Sequence, residues 1–201
     1  MDNIIAYIKE HYTPLSIIVY GSYADGSNNL NSDFDALVIS QNHEKHHDTS
    51  LFDGITLDVF VYPAQFFAGD FDCSEFIQVF DGKIVLDTDG QGADLIHHVQ
   101  AYMEALPTKS DTEIRAEIDW CSKMLLRTKR QDTEGMFRWH WVLVDSLEIF
   151  CDAVKHPYQG PKKTLRWMEK NHPAAFGFYR KALFDFSEDA LKDWISCLEQ
   201  L

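Results

Sequence analysis

A single carboxylate inside an apolar run sets the tightest condition on how this chain can fold. In Ile55-Thr-Leu-Asp-Val-Phe-Val-Tyr62, the apolar residues Ile55, Leu57, Val59 and Val61 alternate, which predicts a strand with those side chains turned to a core. Asp58 then projects from the opposite face. A carboxylate in the middle of a central strand loses hydration unless a partner or a metal replaces it. An edge strand with Asp58 in water is the alternative. Two more short apolar runs precede it, Leu15-Ser-Ile-Ile-Val-Tyr20, which stops at Gly21, and Asp35-Ala-Leu-Val-Ile39. Strands are therefore expected near 15–20, 35–40 and 55–62.

The residues at the ends of these runs carry chemistry. Gly21-Ser22 follows the first strand as a turn, and Ser22 and its successors can open a helix. The first N–H groups of a helix have no partner within it and suit a phosphate. Beyond a ten-residue spacer, Asp33-Phe-Asp35 begins the second strand. Residues two apart on a strand share a face, so Asp33 and Asp35 can grip one cation together. The same Asp-x-Asp pattern recurs at Asp70/Asp72 and Asp87/Asp89, where it reads as solvated loop or turn carboxylates.

Gly21-Ser22, then Asp33-x-Asp35, then Asp58 resembles the nucleotidyltransferase superfamily, in its aminoglycoside- and lincosamide-type branch. The resemblance implies a DNA polymerase beta-like fold of the α+β class, a mixed β-sheet flanked by helices. It also implies that Asp33, Asp35 and Asp58 are catalytic and hold Mg2+, and that Gly21 and Ser22 bind the phosphates of ATP or another NTP. Many relatives carry Arg or Lys where this chain has Asp25. The stretch Phe80–Gly90 looks like the hairpin that closes such domains. The motifs cover the first half of the chain; the second half shares only a helical character.

Composition narrows the partners. With 45% hydrophobic residues and 13% aromatics, 201 residues can pack a sizeable core. No apolar run reaches the length of a membrane span, and the acidic start Met1-Asp2 is unlike a signal peptide. Cys73, Cys121, Cys151 and Cys197 are scattered without a paired motif, which predicts free thiols in a reducing cytoplasm. A net charge of −14 argues against nucleic acid, whose binders present a basic face. Lys123–Arg130 is the densest basic stretch and reads as the solvated C-terminal end of a helix.

Along the chain, residues 2–11 predict a helix capped by Asp2, with Ile4, Ile5 and Ile8 facing inward. The loop from Gln41 to Gly54 carries His43, His46 and His47, a trio that fits a polar loop as well as a metal site. From Gln91 onward the strand signals stop. Ala93–Leu106 is one helix, Ser110-Asp-Thr-Glu113 is a capping box opening another, and Ser187 caps the last. Met136, His140, Leu143, Leu147 and Phe150 mark a largely buried helix between them, with His140 a core histidine. A catalytic domain at 1–92 and a helical substrate-binding bundle at 93–201 are expected.

Within the bundle, Lys162 and Lys163 follow Gly160-Pro161 at a helix opening, where cations oppose the dipole; a contact with the triphosphate would explain them. Asp145 and Glu148 read as a solvated acidic face, with a general-base role the alternative. The expected reaction is Mg2+-dependent transfer of NMP, AMP in the first instance, from an NTP to a hydroxyl of a small, aminoglycoside-like acceptor. An AMP-transferring enzyme acting on a protein, as in antitoxins, and an inactive nucleotide-binding module are the rival classes.

Overall fold

Alternating aliphatic residues become strands where the pattern predicts them. The computed structural model describes residues 1–130 and 132–201. The chain divides into two units, Met1–Leu106 and Pro107–Leu201.

In the first unit, α1 (Asp2–Tyr12) leads into β1 (Pro14–Val19), α2 (Gly21–Asp25), β2 (Phe34–Ser40), β3 (His46–Asp48), β4 (Leu51–Phe52) and β5 (Ile55–Pro63). Two 3-10 segments, Ala64–Ala68 and Cys73–Val79, precede β6 (Lys83–Asp87) and α3 (Gln91–Ala105). The strands form one mixed sheet in the order β3-β5-β2-β1-β6, with β4 also paired to β5. β2 and β5 run parallel, and the other pairings are antiparallel. This is the α+β arrangement that the resemblance implies.

Side-chain alternation makes two cores. Ile17, Val19, Val38, Leu57, Val59 and Val61 pack with Ile4, Ile5 and Ile8 of α1. Ile18, Leu37, Ile39 and Tyr62 pack on Phe76 and Val79 and on Leu95 and Val99 of α3. Each such aliphatic side chain, fully buried, contributes about 1.5–3 kcal/mol before chain entropy is counted. β5 lies between β2 and β3, so Asp58 is on an interior strand and the edge-strand alternative falls.

Three local expectations change. Asp2 makes no capping bond, since Met1 is the N-cap and Asp2 sits in the first turn of α1. Residues 80–90 form no hairpin of their own, because Lys83–Asp87 pairs with β1. Asp87 is not a solvated turn carboxylate either. Its Oδ1 accepts from Ser16 Oγ at 2.6 Å and from the Gly92 N–H at 3.2 Å, and its Oδ2 from the Ala93 N–H at 2.9 Å. That bond set ties the start of α3 to the sheet, so residues 91–105 pack with the first unit, where the sequence pattern begins the helical region at 93.

The second unit holds α4 (Asp111–Thr128), α5 (Thr133–Ala153), α6 (Gly160–Asn171), α7 (Pro173–Asp185) and α8 (Glu188–Glu199). The Ser110/Glu113 capping box forms in both directions, and Ser187 accepts from the Ala190 N–H. In the core, the Trp194 indole N–H donates to Ser146 Oγ at 2.9 Å and the Tyr179 hydroxyl to the Leu143 carbonyl at 2.8 Å. The buried stripe of α5 runs through Trp139, Val142, Leu143, Ser146, Leu147 and Phe150, which leaves Met136 and His140 exposed instead of buried. All four cysteines are free thiols. Among the described residues, no helix is long and apolar enough to cross a membrane.

Candidate active site

Two parallel strands in register bring the principal carboxylates together. Asp35 on β2 and Asp58 on β5 are Cα partners, and the two-residue period turns both to the face that carries Leu37, Ile39 and Tyr62. Both carboxylates are half-buried, while Asp33, one residue ahead of β2, is exposed. The buried Tyr20 reports the same convergence. Burial, and then the charges of Asp58 and Asp35, push its phenol far above the usual range, so it stays a neutral hydroxyl beside them.

The Gly21-Ser22 turn is built against Asp35. The Tyr20 N–H donates to the Asp35 carbonyl at 3.1 Å. Gly21 has φ +64°, and a Cβ there would stand 2.3 Å from Asp35 Oδ2. Only glycine meets both conditions. Ser22 is buried, and its carbonyl accepts from Ser27 and Asn28 at 2.9 and 3.1 Å, closing the single turn of α2. Asp25 accepts from the Ser27 N–H at 2.9 Å, so its carboxylate shapes the loop that follows α2.

His47, which the sequence reading left among the loop histidines, contacts Asp58. It lies on β3, and its Nε2 is 2.5 Å from Asp58 Oδ1. A signal for it exists. Asp53-Gly54, with φ of +52° and +78°, is a two-residue hairpin turn, and folding the chain there sets Phe52 against Ile55 and, further along, His47 against Phe60.

The remaining candidates lie in the second unit. Lys162, exposed, and Lys163, half-buried, sit in the first turn of α6, as expected for a helix opened by Gly160-Pro161. On α5, Glu148 is exposed and Asp145 half-buried.

The donor chemistry fits a hard divalent cation. Asp35 and Asp58 are adjacent oxygen donors, and Mg2+ is usually held by one or two carboxylates, with phosphate oxygens and water completing its shell. Among the described residues, no group of three His, Cys, Asp or Glu side chains forms a complete metal cluster.

A family model described as a nucleotidyltransferase domain matches residues 1–116. The chain belongs to the nucleotidyltransferase domain family. It is an enzyme of that type, moving an NMP from an NTP co-substrate, in a family that usually employs a divalent metal. Among solved structures, this nucleotidyltransferase is similar to a nucleotidyltransferase-like protein from Exiguobacterium sibiricum 255-15, at 15% identity and TM-score 0.38, over 99% of this chain and 72% of that one. It is also similar to a chain of a toxin-antitoxin with AMP-PNP, at 20% identity and TM-score 0.34, over 59% of this chain and 94% of that one. No curated protein matches the sequence.

Proposed function

We propose that this nucleotidyltransferase transfers NMP, AMP in the first instance, from Mg2+-bound NTP to a hydroxyl of a small cationic acceptor of the aminoglycoside type, releasing pyrophosphate. The observation that carries the reading is the register pairing of Asp35 with Asp58 beside Gly21. In this reading the Gly21-Ser22 turn receives the phosphates, and Asp33, Asp35 and Asp58 hold the metal. Mg2+, when bound, offsets the phosphate charge and makes the α-phosphorus a better electrophile. In the same reading Asp58 also takes the proton of the acceptor hydroxyl. The acceptor oxygen bonds to the α-phosphorus as the bond to the pyrophosphate oxygen breaks. The Tyr20 hydroxyl stays protonated and adds no charge of its own.

The helical unit is assigned substrate recognition, with Lys162 and Lys163 as cationic contacts to the triphosphate. Charge supports the acceptor class, since a net −14 concentrates cations and repels nucleic acid. The four free thiols suit a reducing cytoplasm.

The test is a screen of the purified chain with each NTP and Mg2+ against aminoglycosides, lincosamides and a protein lysate. It is read by acceptor mass shift and pyrophosphate release. An NMP-sized shift on a small molecule, absent with Asp35→Asn, supports the reading. Labelling confined to protein bands would overturn the small-molecule acceptor, and no pyrophosphate release with any acceptor would overturn the whole reading.

A further inference from the structure

Asp58 has a fixed neighbour. His47 on β3 is the register partner of Phe60 on β5, and the two rings stack with centroids 4.0 Å apart at an interplanar angle of 5°. From that stack, Nε2 reaches diagonally back along β5 to Asp58 Oδ1, 2.5 Å away. Asp58 and Phe60 share a face two residues apart, and a cross-strand ring spans such a diagonal readily. An ionised carboxylate only accepts, so the imidazole donates from Nε2.

An ion pair between two mobile surface side chains contributes little, because ordering both offsets the attraction. His47 differs in having its ring held in place. Phe60 covers one face of the imidazole, and the β3–β5 ladder holds the backbone beneath it. The next residue fastens the strand again, as the Tyr12 hydroxyl of α1 donates to Asp48 Oδ2 at 2.5 Å. The hydrogen bond therefore acts on the carboxylate more than on the ring. It selects one orientation of Asp58, with Oδ1 engaged and Oδ2 left over.

We propose that His47 is a positioning residue for nucleotidyl transfer, donating from its stacked ring to Asp58 Oδ1 so that Oδ2 is presented to the metal or to the acceptor proton. The proposal rests on the reading of Asp58 as a site carboxylate. Neighbours that orient a metal-binding side chain commonly matter about 10- to 100-fold in metal affinity or activity when removed.

Two variants separate the donor from the ring. His47→Phe keeps an aromatic ring over Phe60 and removes the N–H, whereas His47→Gln restores an N–H without the ring. For both, and for Asp58→Asn alone and combined with His47→Phe, kcat and KM would be measured. Mg2+ affinity would be measured by calorimetry in the presence of a non-hydrolysable NTP, and folding by thermal melting. The expected result for His47→Phe is a fall of about 10- to 100-fold in kcat or Mg2+ affinity, with KM for the acceptor and the melting temperature nearly unchanged. His47→Gln should recover most of the loss, and His47→Phe should cost nothing further once Asp58 is Asn. Wild-type turnover and Mg2+ affinity in His47→Phe, with Asp58→Asn impaired, would overturn the positioning role and leave the reading of Asp58 intact. An unimpaired Asp58→Asn would overturn both. A loss in His47→Phe that Gln does not rescue, or that adds fully to Asp58→Asn, would make His47 merely structural and end the proposal.

Discussion

Asp35 Oδ2 occupies the space that any side chain at Gly21 would need, 2.3 Å from where a Cβ would stand. The turn and the first strand carboxylate are thus one steric unit. Gly21→Ala should be penalised twice, by a left-handed backbone at φ +64° and by displacement of the carboxylate. The backbone alone costs about 1–2 kcal/mol. Chemical denaturation should show at least that loss, and transfer should fall by about tenfold or more, since a small misplacement of reacting groups is expensive. Wild-type stability and turnover in Gly21→Ala would remove the turn from the site.

Asp35→Asn and Asp33→Asn should each abolish transfer with the fold intact. Each removes a negative charge from a site proposed to bind a cation, so NTP with Mg2+ should bind weakly as well. Melting temperatures should hold or rise slightly, because neighbouring carboxylates repel when no metal lies between them. Calorimetry with Mg2+ and NTP, beside a thermal melt, checks both halves. Either variant turning over at the wild-type rate would end the assignment.

Asp58→Asn divides the two roles given to that residue. If Asp58 acts chiefly as the base, kcat should drop by about 10²–10⁴-fold with NTP affinity nearly unchanged. If it acts chiefly as a ligand, turnover and affinity should fall together. Titrating Mg2+ and ATP against the variant decides between them, and unaltered turnover would refute both.

The path from residues to site was readable where one strand period governs. Leu57, Val59 and Val61 announced β5, and alternation put Asp58 on the opposite face, beside Phe60 and Tyr62. The parallel pairing of β2 with β5, which sets Asp35 beside Asp58, is a matter of topology and no local pattern encodes it. His47 was missed because His43, His46 and His47 look like a polar loop unless Asp53-Gly54 is taken as a hairpin turn. Asp87 was misread for a related reason, since its partners Ser16 and Gly92 lie in other elements. His140 fell on the wrong side of α5 because apolar Met136 suggested a stripe that packing rotates toward Trp139.

Acid sensitivity should pass in part through Asp87. Burial raises its pKa, but the bonds from Ser16 Oγ and from the Ala93 and Gly92 N–H groups outweigh this and hold it below the usual carboxylate range. A pKa depressed by folding adds stability above the unfolded value, near 3.9, and loses it as pH falls through the folded value. Asp87→Asn should therefore be less stable than wild type at pH 7, by about 1.5–3 kcal/mol for hydrogen bonds to a charged group. The gap should narrow as the pH drops below about 4. Urea denaturation of both proteins across that range is the measurement, and a gap independent of pH would mean that the charge on Asp87 is not what holds α3.

The acceptor class makes the broadest prediction. The chain carries a net charge of −14, and three of its carboxylates lie in the site in the proposed reading, so the field favours cationic acceptors and opposes polyanions. Solubility alone could account for the acidity, and salt separates the two explanations. Long-range attraction between exposed charges is screened over about 8 Å at physiological ionic strength. If the field recruits the acceptor, KM for an aminoglycoside should rise with added salt, while KM for an uncharged alcohol acceptor should barely move. Transfer to aminoglycosides, neutral alcohols and tRNA at low and high salt tests this directly. Efficient labelling of tRNA, or equal salt response for charged and neutral acceptors, would overturn the electrostatic account.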